Sequence, residues 1–166
     1  ANLLLQRGIT SSEQAQSFFY PSLNMLHDPF LMKDMDKAVE RLDRAIAQDE
    51  KILIYGDYDV DGTTAVSLLY KYLKHHCNSD NLEYYIPDRY TEGYGVSIKG
   101  IDYAAENGFS LMLITDCGIK AVEKVKYANS RQVDIIICDH HTPGDTLPEA
   151  IAVLDPQRPD CPYPYK

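Results

Sequence analysis

The stretch KILIYGDYDVDG, residues 51–62, constrains this chain more than any other. Ile52, Leu53, Ile54 and Tyr55 form a short β-branched and aromatic run, the kind that is buried on both faces in a parallel sheet. Asp57, Asp59 and Asp61 follow on alternate residues, ahead of Gly62 and a helical pattern. A single aspartate favours turns and helix starts for local reasons. Three sharing one turn repel by on the order of 1 kcal/mol or more per pair. A bound divalent cation removes that repulsion, so the stretch predicts a strand that hands carboxylates to a metal.

From residue 51 onward the pattern repeats strand, loop and helix. Strands are expected at about 51–56, 82–86, 111–115, 133–138 and 150–154. Helices are expected at about 63–76, from a Ser97 cap to Gly108, and at about 119–129. In the first of these, Ala65, Val66, Leu68, Leu69, Tyr72 and Leu73 are expected to face inward. The alternation predicts an α/β fold: an open, mostly parallel five-stranded sheet with helices on both faces. Ahead of it, Thr10 and Glu13 offer a capping box for a helix that stops against Pro21. After Asp34, Met35, Ala38, Val39, Leu42, Ala45 and Ile46 recur at helical spacing, with Glu40 and Arg44 as an i,i+4 pair. Both helices are expected to pack beside the first strand. Residues 1–50 thus form a helical segment, and residues 51–166 the α/β domain.

With 45% hydrophobic and 25% charged residues, 166 residues suffice for a sizeable core. No apolar run approaches the roughly 20 residues that span a bilayer, and no charged and apolar leader opens the chain, so a cytoplasmic location is expected. Cys77, Cys117, Cys138 and Cys161 show no paired spacing, which predicts reduced thiols. A net charge of −9 excludes bulk attraction to a phosphate backbone. Nucleic-acid binding then requires a local basic patch, a metal bridge or another domain. The first residue is not Met and the last six read CPYPYK, so a piece of a longer protein is expected.

In sheets of this class, ligands sit outside the carboxyl ends of the strands. Successive strand ends are expected to present Asp57, Asp59 and Asp61, then Asp88, Arg89 and Glu92 before Gly93-Tyr94-Gly95, then Asp116-Cys117-Gly118, then Asp139-His140-His141. Mixed carboxylate and imidazole donors suit Mn²⁺; Mg²⁺ is less well served by histidine, and Zn²⁺ stays open. Displacement at phosphorus uses such a set, because a metal pair activates water and steadies the phosphoryl and leaving oxygens. Asp116 is the candidate bridge between two metals, and the helix after Asp61 aims amides at an anion. Arg89 either clamps a phosphate or pairs with Asp88 or Glu92. Tyr58, Tyr90 and Tyr94 either stack on bases or pack half-buried. Lys99 meets a phosphate or stays solvated. His75-His76-Cys77 reads as a helix end favoured by its dipole rather than a metal tract, and Cys117 and Cys138 as small packing residues.

GDYDVDGTTA at 56–65, IPDRYTEGYG at 86–95, TDCG at 115–118 and DHH at 139–141 together resemble the DHH phosphoesterase superfamily. More narrowly they resemble its bacterial RecJ branch of single-strand-specific 5′ to 3′ DNA exonucleases, a likeness that extends to LLLQRGI at 3–9 and to 147–150. The resemblance implies release of mononucleotides from single-stranded DNA in repair and recombination, with Mn²⁺ or Mg²⁺. It implies Asp59 and Asp61 as ligands of one metal each, Asp116 as the bridge, Asp57 as ligand or close support, and His140 as the imidazole ligand. His141 then touches phosphate or donates a proton, and Asp139 orients the histidine pair. The family's fourth-motif aspartate, its second catalytic lobe and its OB-type DNA-gripping domain are not in these residues. The chain is therefore expected to bind metal incompletely and to cleave DNA feebly or not at all. Asp155 falls where the family tends to carry asparagine and is expected to be a turn residue. The implied partners are single-stranded DNA, further domains of the same polypeptide and DNA-repair proteins. Alternatives are the same chemistry on short oligonucleotides, cyclic dinucleotides or pyrophosphate, and a non-catalytic binding module. The first is disfavoured by Asp57-Tyr58-Asp59, where those relatives place a histidine-bearing motif; the second expects eroded ligands.

Overall fold

The structure, a computed structural model, describes residues 2–76 and 78–165. Cys77, and with it the complete His75-His76-Cys77 tract, lies outside the described residues. Short runs rich in apolar residues set the sheet: β1 (Ile52–Gly56), β2 (Leu82–Tyr85), β3 (Leu111–Thr115), β4 (Asp134–Cys138) and β5 (Ala152–Leu154). They pair in the order β2-β1-β3-β4-β5, and every pairing is parallel. β1 and β3 are buried at all five positions, which is why they read as unbroken apolar runs. Edge strand β2 instead exposes Glu83 and Tyr84.

The helices are α1 (Asn2–Gln6), α2 (Ser12–Phe19), α3 (Met35–Ala47), α4 (Val60–Leu73), α5 (Ile98–Glu106) and α6 (Val122–Ser130). Alternate strand residues serve the two faces. Ile52, Ile54, Leu111, Leu113 and Ile136 pack with Ala38 and Ala45 of α3 and Val66 and Leu73 of α4. Leu53, Tyr55, Met112, Ile114, Ile135 and Ile137 pack with Ile101 and Ala104 of α5 and Val125 and Ala128 of α6. The strand order reverses between β1 and β3, and the crevice at that point opens at their carboxyl ends.

Several local expectations shift. The capping box of α2 is Ser11 with Gln14, one residue later than Thr10 with Glu13: the Ser11 hydroxyl accepts from the Gln14 amide and the Gln14 side chain accepts from Ser11 N. Of the two N-terminal helices, only α3 joins the cluster that holds Ile52 and Ile54 of β1. Its main strand neighbour is β5, with α4 the main cover of β1 on that face. α2 buries none of its residues and leaves Phe18 and Phe19 exposed. Arg44 turns toward Asp134, 3.8 Å away, rather than toward Glu40. In α4 the buried stripe runs through Gly62, Val66 and Leu73, so Leu68 and Tyr72, off that stripe, face solvent.

Candidate metal centre

The turn after β1 is built around close backbone approach. Asp59 is the N-cap of α4, its Oδ1 accepting from Gly62 N at 2.9 Å, so the helix begins three residues ahead of the expected Thr63. A Cβ on Gly62 would fall 2.4 Å from the Asp57 carbonyl oxygen, so only glycine lets α4 start against this turn. Asp57 is buried; its Oδ1 accepts from Tyr58 N at 2.9 Å, and its Oδ2 has no partner among the described residues. Burial pushes the Asp57 carboxyl up, and the charge of Asp59 adds to the push. The Gly62 amide holds Asp59 below the usual carboxylate range. Asp61 sits in the first turn of α4, exposed.

β3 and β4 deliver the next donors. Asp116 takes a left-handed backbone, φ 60°, unusual outside glycine, while its N–H still donates to Cys138 O at 2.9 Å. This turn brings the buried carboxylate Oδ1 within 3.0 Å of His140 Nε2. Burial raises the Asp116 carboxyl, the facing charge of Asp59 raises it further, and His140 opposes both. Ligand atoms of Asp116, His140 and His141 all lie within 4.8 Å of one another; Asp57, Asp59 and Asp61 stand outside that tight group.

Asp139 is saturated. Its Oδ1 accepts from His140 N at 2.7 Å, His141 N at 3.1 Å and His141 Nδ1 at 2.7 Å, and its Oδ2 accepts from Ile119 N at 2.9 Å. With three donors on Oδ1 and the Ile119 amide on Oδ2, it orients the histidine pair. His141 Nε2 faces Tyr94 Oη at 3.2 Å. The bond to Asp139 raises the His141 imidazole above its ordinary value. Burial, with the charge of Asp57, pushes the Tyr94 phenol up to about 12.

The β2 end is different. Asp88 accepts from Tyr90 N, Thr91 N and the Thr91 hydroxyl, which makes it a turn builder. Glu92 accepts from the Tyr85 and Ser97 hydroxyls and from Asp88 N, with exposed Lys99 at 3.8 Å. Neither acid pairs with Arg89 among the described residues; its guanidinium lies 5.5 Å over the Tyr58 ring, which meets Tyr94 edge-on at 6.5 Å. Tyr90 is exposed. Cys117 is buried and Cys138 half-buried, both free, and burial raises both thiols, Cys138 to about 11, which makes them packing residues.

Asp155 is the residue that sequence reasoning undervalued. The expected turn is present, Gln157 N donating to its Oδ1 at 2.7 Å. Its side chain is nevertheless fully buried, and Oδ2 has no partner among the described residues. Burial pushes its carboxyl up, and the charge of Asp139 adds to this. The signal lay in strand register: Leu154 pairs with Cys138, so Asp155 follows β5 at the edge where Asp139 follows β4. Gln157 also donates to the His140 carbonyl, tying this turn to the histidine loop.

Two buried carboxylate oxygens without partners, a strained Asp116 and an imidazole donor on one sheet edge form a set that a divalent cation of intermediate softness fits.

The sequence pattern of the DHH family, N-terminal domain, matches residues 51–162. Over 166 residues the chain is 43% identical to the single-stranded-DNA-specific exonuclease RecJ of Bacillus subtilis, covering all of this chain and 21% of that protein. It is 35% identical over 164 residues to the protein of the same description from Dickeya dadantii, covering 99% of this chain and 28% of the other. A crystal structure of exonuclease RecJ bound to manganese superposes with a TM-score of 0.71 at 32% identity, over 81% of this chain and 34% of that one. RecJ in complex with Mn²⁺ from Thermus thermophilus superposes with a TM-score of 0.71 at 27% identity, over 95% of this chain and 21% of that one. The chain thus spans about a fifth to a third of the length of these relatives.

Proposed function

Because this chain belongs to the DHH family, we propose that it is the N-terminal catalytic segment of a metal-dependent phosphodiesterase, a 5′ to 3′ exonuclease on single-stranded DNA acting in repair and recombination. Residues 51–166 carry the chemistry and residues 1–50 pack on them. The observation that carries this reading is the approach of Asp116 and His140 from neighbouring strand ends, 3.0 Å apart, opposite Asp59. The description of the relatives as single-stranded-DNA-specific exonucleases supports the substrate class.

Asp57, Asp59, Asp61, Asp116 and His140 would hold the metals, with Asp116 between them. Manganese in the two solved relatives supports Mn²⁺ over Mg²⁺. Once bound, the cations supply Lewis acidity toward a phosphoryl oxygen and make water a better nucleophile at neutral pH. Asp139 holds His141 in one orientation, Nδ1 toward the carboxylate and Nε2 toward the cleft, where it contacts phosphate or gives a proton to the leaving oxygen. Arg89, spread on Tyr58, is the phosphate clamp. The amino end of α4 points its dipole at the same anion.

The test is calorimetric Mn²⁺ titration of this chain, then assay of the longer polypeptide on single strands labelled at either end. The reading requires metal binding and early release of the 5′ label as mononucleotide. Intact single strands alongside hydrolysed cyclic dinucleotides would overturn it.

A further inference from the structure

A cavity of about 380 Å³ opens between residues 94–96 and residues 117–124, and its wall includes Asp139 and His141 of the metal centre. Val96, Ile119, Ala121 and Val122 make it mainly apolar, and Lys120 and Lys124 also line it, with Glu123 between them. Neither lysine forms an ion pair among the described residues. In a chain of net charge −9, Lys120 and Lys124 share this wall with Glu123 and Asp139 but are tied to neither by an ion pair, so both stay available to an anion that reaches past the sheet edge. The volume lies at the small end of the roughly 300 to 1,000 Å³ range of ligand clefts, room for one ring system and its sugar. Acting on the nuclease reading above, we infer that this cavity seats the nucleoside adjoining the phosphodiester at Asp116 and His140, with Lys120 and Lys124 on the next phosphate. His141 is the partition: its ligand nitrogen belongs to the metal-side group, and its ring forms part of the cavity wall. Apolar walls accept any base by its face, so the subsite positions the strand without reading sequence.

The test titrates ¹⁵N-labelled chain, in Mg²⁺, with octathymidylate and with thymidine monophosphate. Amide shifts are expected at Val96, Ile119, Val122 and Lys124. The double variant Lys120→Glu with Lys124→Glu is expected to weaken octathymidylate binding roughly tenfold and to flatten the log–log salt slope by about 0.7, for the one phosphate charge no longer neutralised by the lysines. Ala121→Trp, which fills the cavity, should abolish the cavity shifts while calorimetric Mg²⁺ binding persists; should it fail to fold, the lysine variant decides. Shifts confined to Asp59, Asp116 and His140, or an affinity within about twofold of the parent in the lysine variant, refute the subsite and leave the nuclease reading standing. Shifts at the cavity with an apolar peptide but not with thymidine monophosphate likewise refute it. No shift anywhere with metal bound refutes both.

Discussion

The two ends of the sheet carry similar acids to opposite effect. At the amino end, Glu50 and Asp134 flank Arg41 of α3, with Arg41 Nη2 2.7 Å from Glu50 and Nε 2.6 Å from Asp134, and the Ser110 hydroxyl completes the bond set on Glu50. Burial pushes the Glu50 carboxyl up, yet Ser110 and Arg41 together hold it below the usual range. At the carboxyl end, burial pushes Asp57, Asp116 and Asp155 up, and backbone amides, the charges of nearby imidazoles and, at Asp155, the charge of Arg158 oppose it without reversing it. The first set fastens α3 to the sheet. The second destabilises the bare fold, and its energy returns when a cation arrives. Glu50 and Asp134 are spent on the fold, whereas Asp57, Asp116 and Asp155 keep an unmet demand for positive charge.

Breaking the amino end gives the largest expected effect. Arg41→Ala leaves the largely buried Glu50 carboxylate without its cation and Asp134 with only the more distant Arg44, and is expected to lower stability by about 3 kcal/mol, seen as a fall of roughly 6 to 12 °C in thermal midpoint. Its Mn²⁺ affinity, measured by calorimetry, stays at the parent level. Asp116→Asn is the mirror experiment. Mn²⁺ affinity falls roughly 100-fold or more, while the midpoint in chelator stays level or rises. A parallel fall in stability for both variants would erase the distinction between the two ends.

Much of this contrast is legible in the sequence, for a physical reason. Apolar runs such as Ile52–Tyr55 and Leu111–Thr115, alternating with helical patterns, fit strands buried on both faces of a parallel sheet, so strand positions, sheet class and the edge that carries the donors follow from the pattern. The orienting role of Asp139, implied by the family resemblance, is met by its bonds to His140 and His141, its immediate neighbours in sequence. Partners that only the folded backbone brings onto a side chain were not legible. Asp88 and Glu92 look like site acids until their donors, Thr91, Tyr85 and Ser97, are in place. Arg41 reads as one more charge on an amphipathic helix, since Glu50 and Asp134 reach it only through the fold. Asp155 looks like a turn because its turn bond is local, whereas its burial depends on the β4 and β5 register.

Asp155 also sharpens the comparison at smaller magnitude. Asp155→Asn keeps the turn acceptor and removes a buried charge without a partner, so stability at pH 7 is expected to rise by about 1 to 2 kcal/mol in denaturant titration. Metal addition should narrow the gain if the Asp155 charge is part of what the cation neutralises. A gain unaffected by Mn²⁺ would detach Asp155 from the centre.

The smallest effect is in the pH dependence, where the two ends oppose each other. Asp34 is desolvated, yet its bonds to Lys37 and Arg158 hold its carboxyl low, as Ser110 and Arg41 do for Glu50. Groups lowered in the native state contribute stability that is full above the ordinary carboxylate range, about pH 4, and is lost as pH falls through their native values. Asp155, raised in the native state, does the reverse: its destabilisation is full well above its native value and is relieved as pH falls toward the ordinary range. The advantage of Asp155→Asn should therefore hold level on acidification until the pH reaches the raised native range of Asp155, then shrink and vanish near pH 4. A variant lacking the Asp34 clasp, Asp34→Asn, should instead approach the parent only below that range, as the parent loses its own ion pair. Unfolding curves at matched pH distinguish the two slopes, and an Asp155→Asn advantage that grows with acid would place Asp155 among the matched acids.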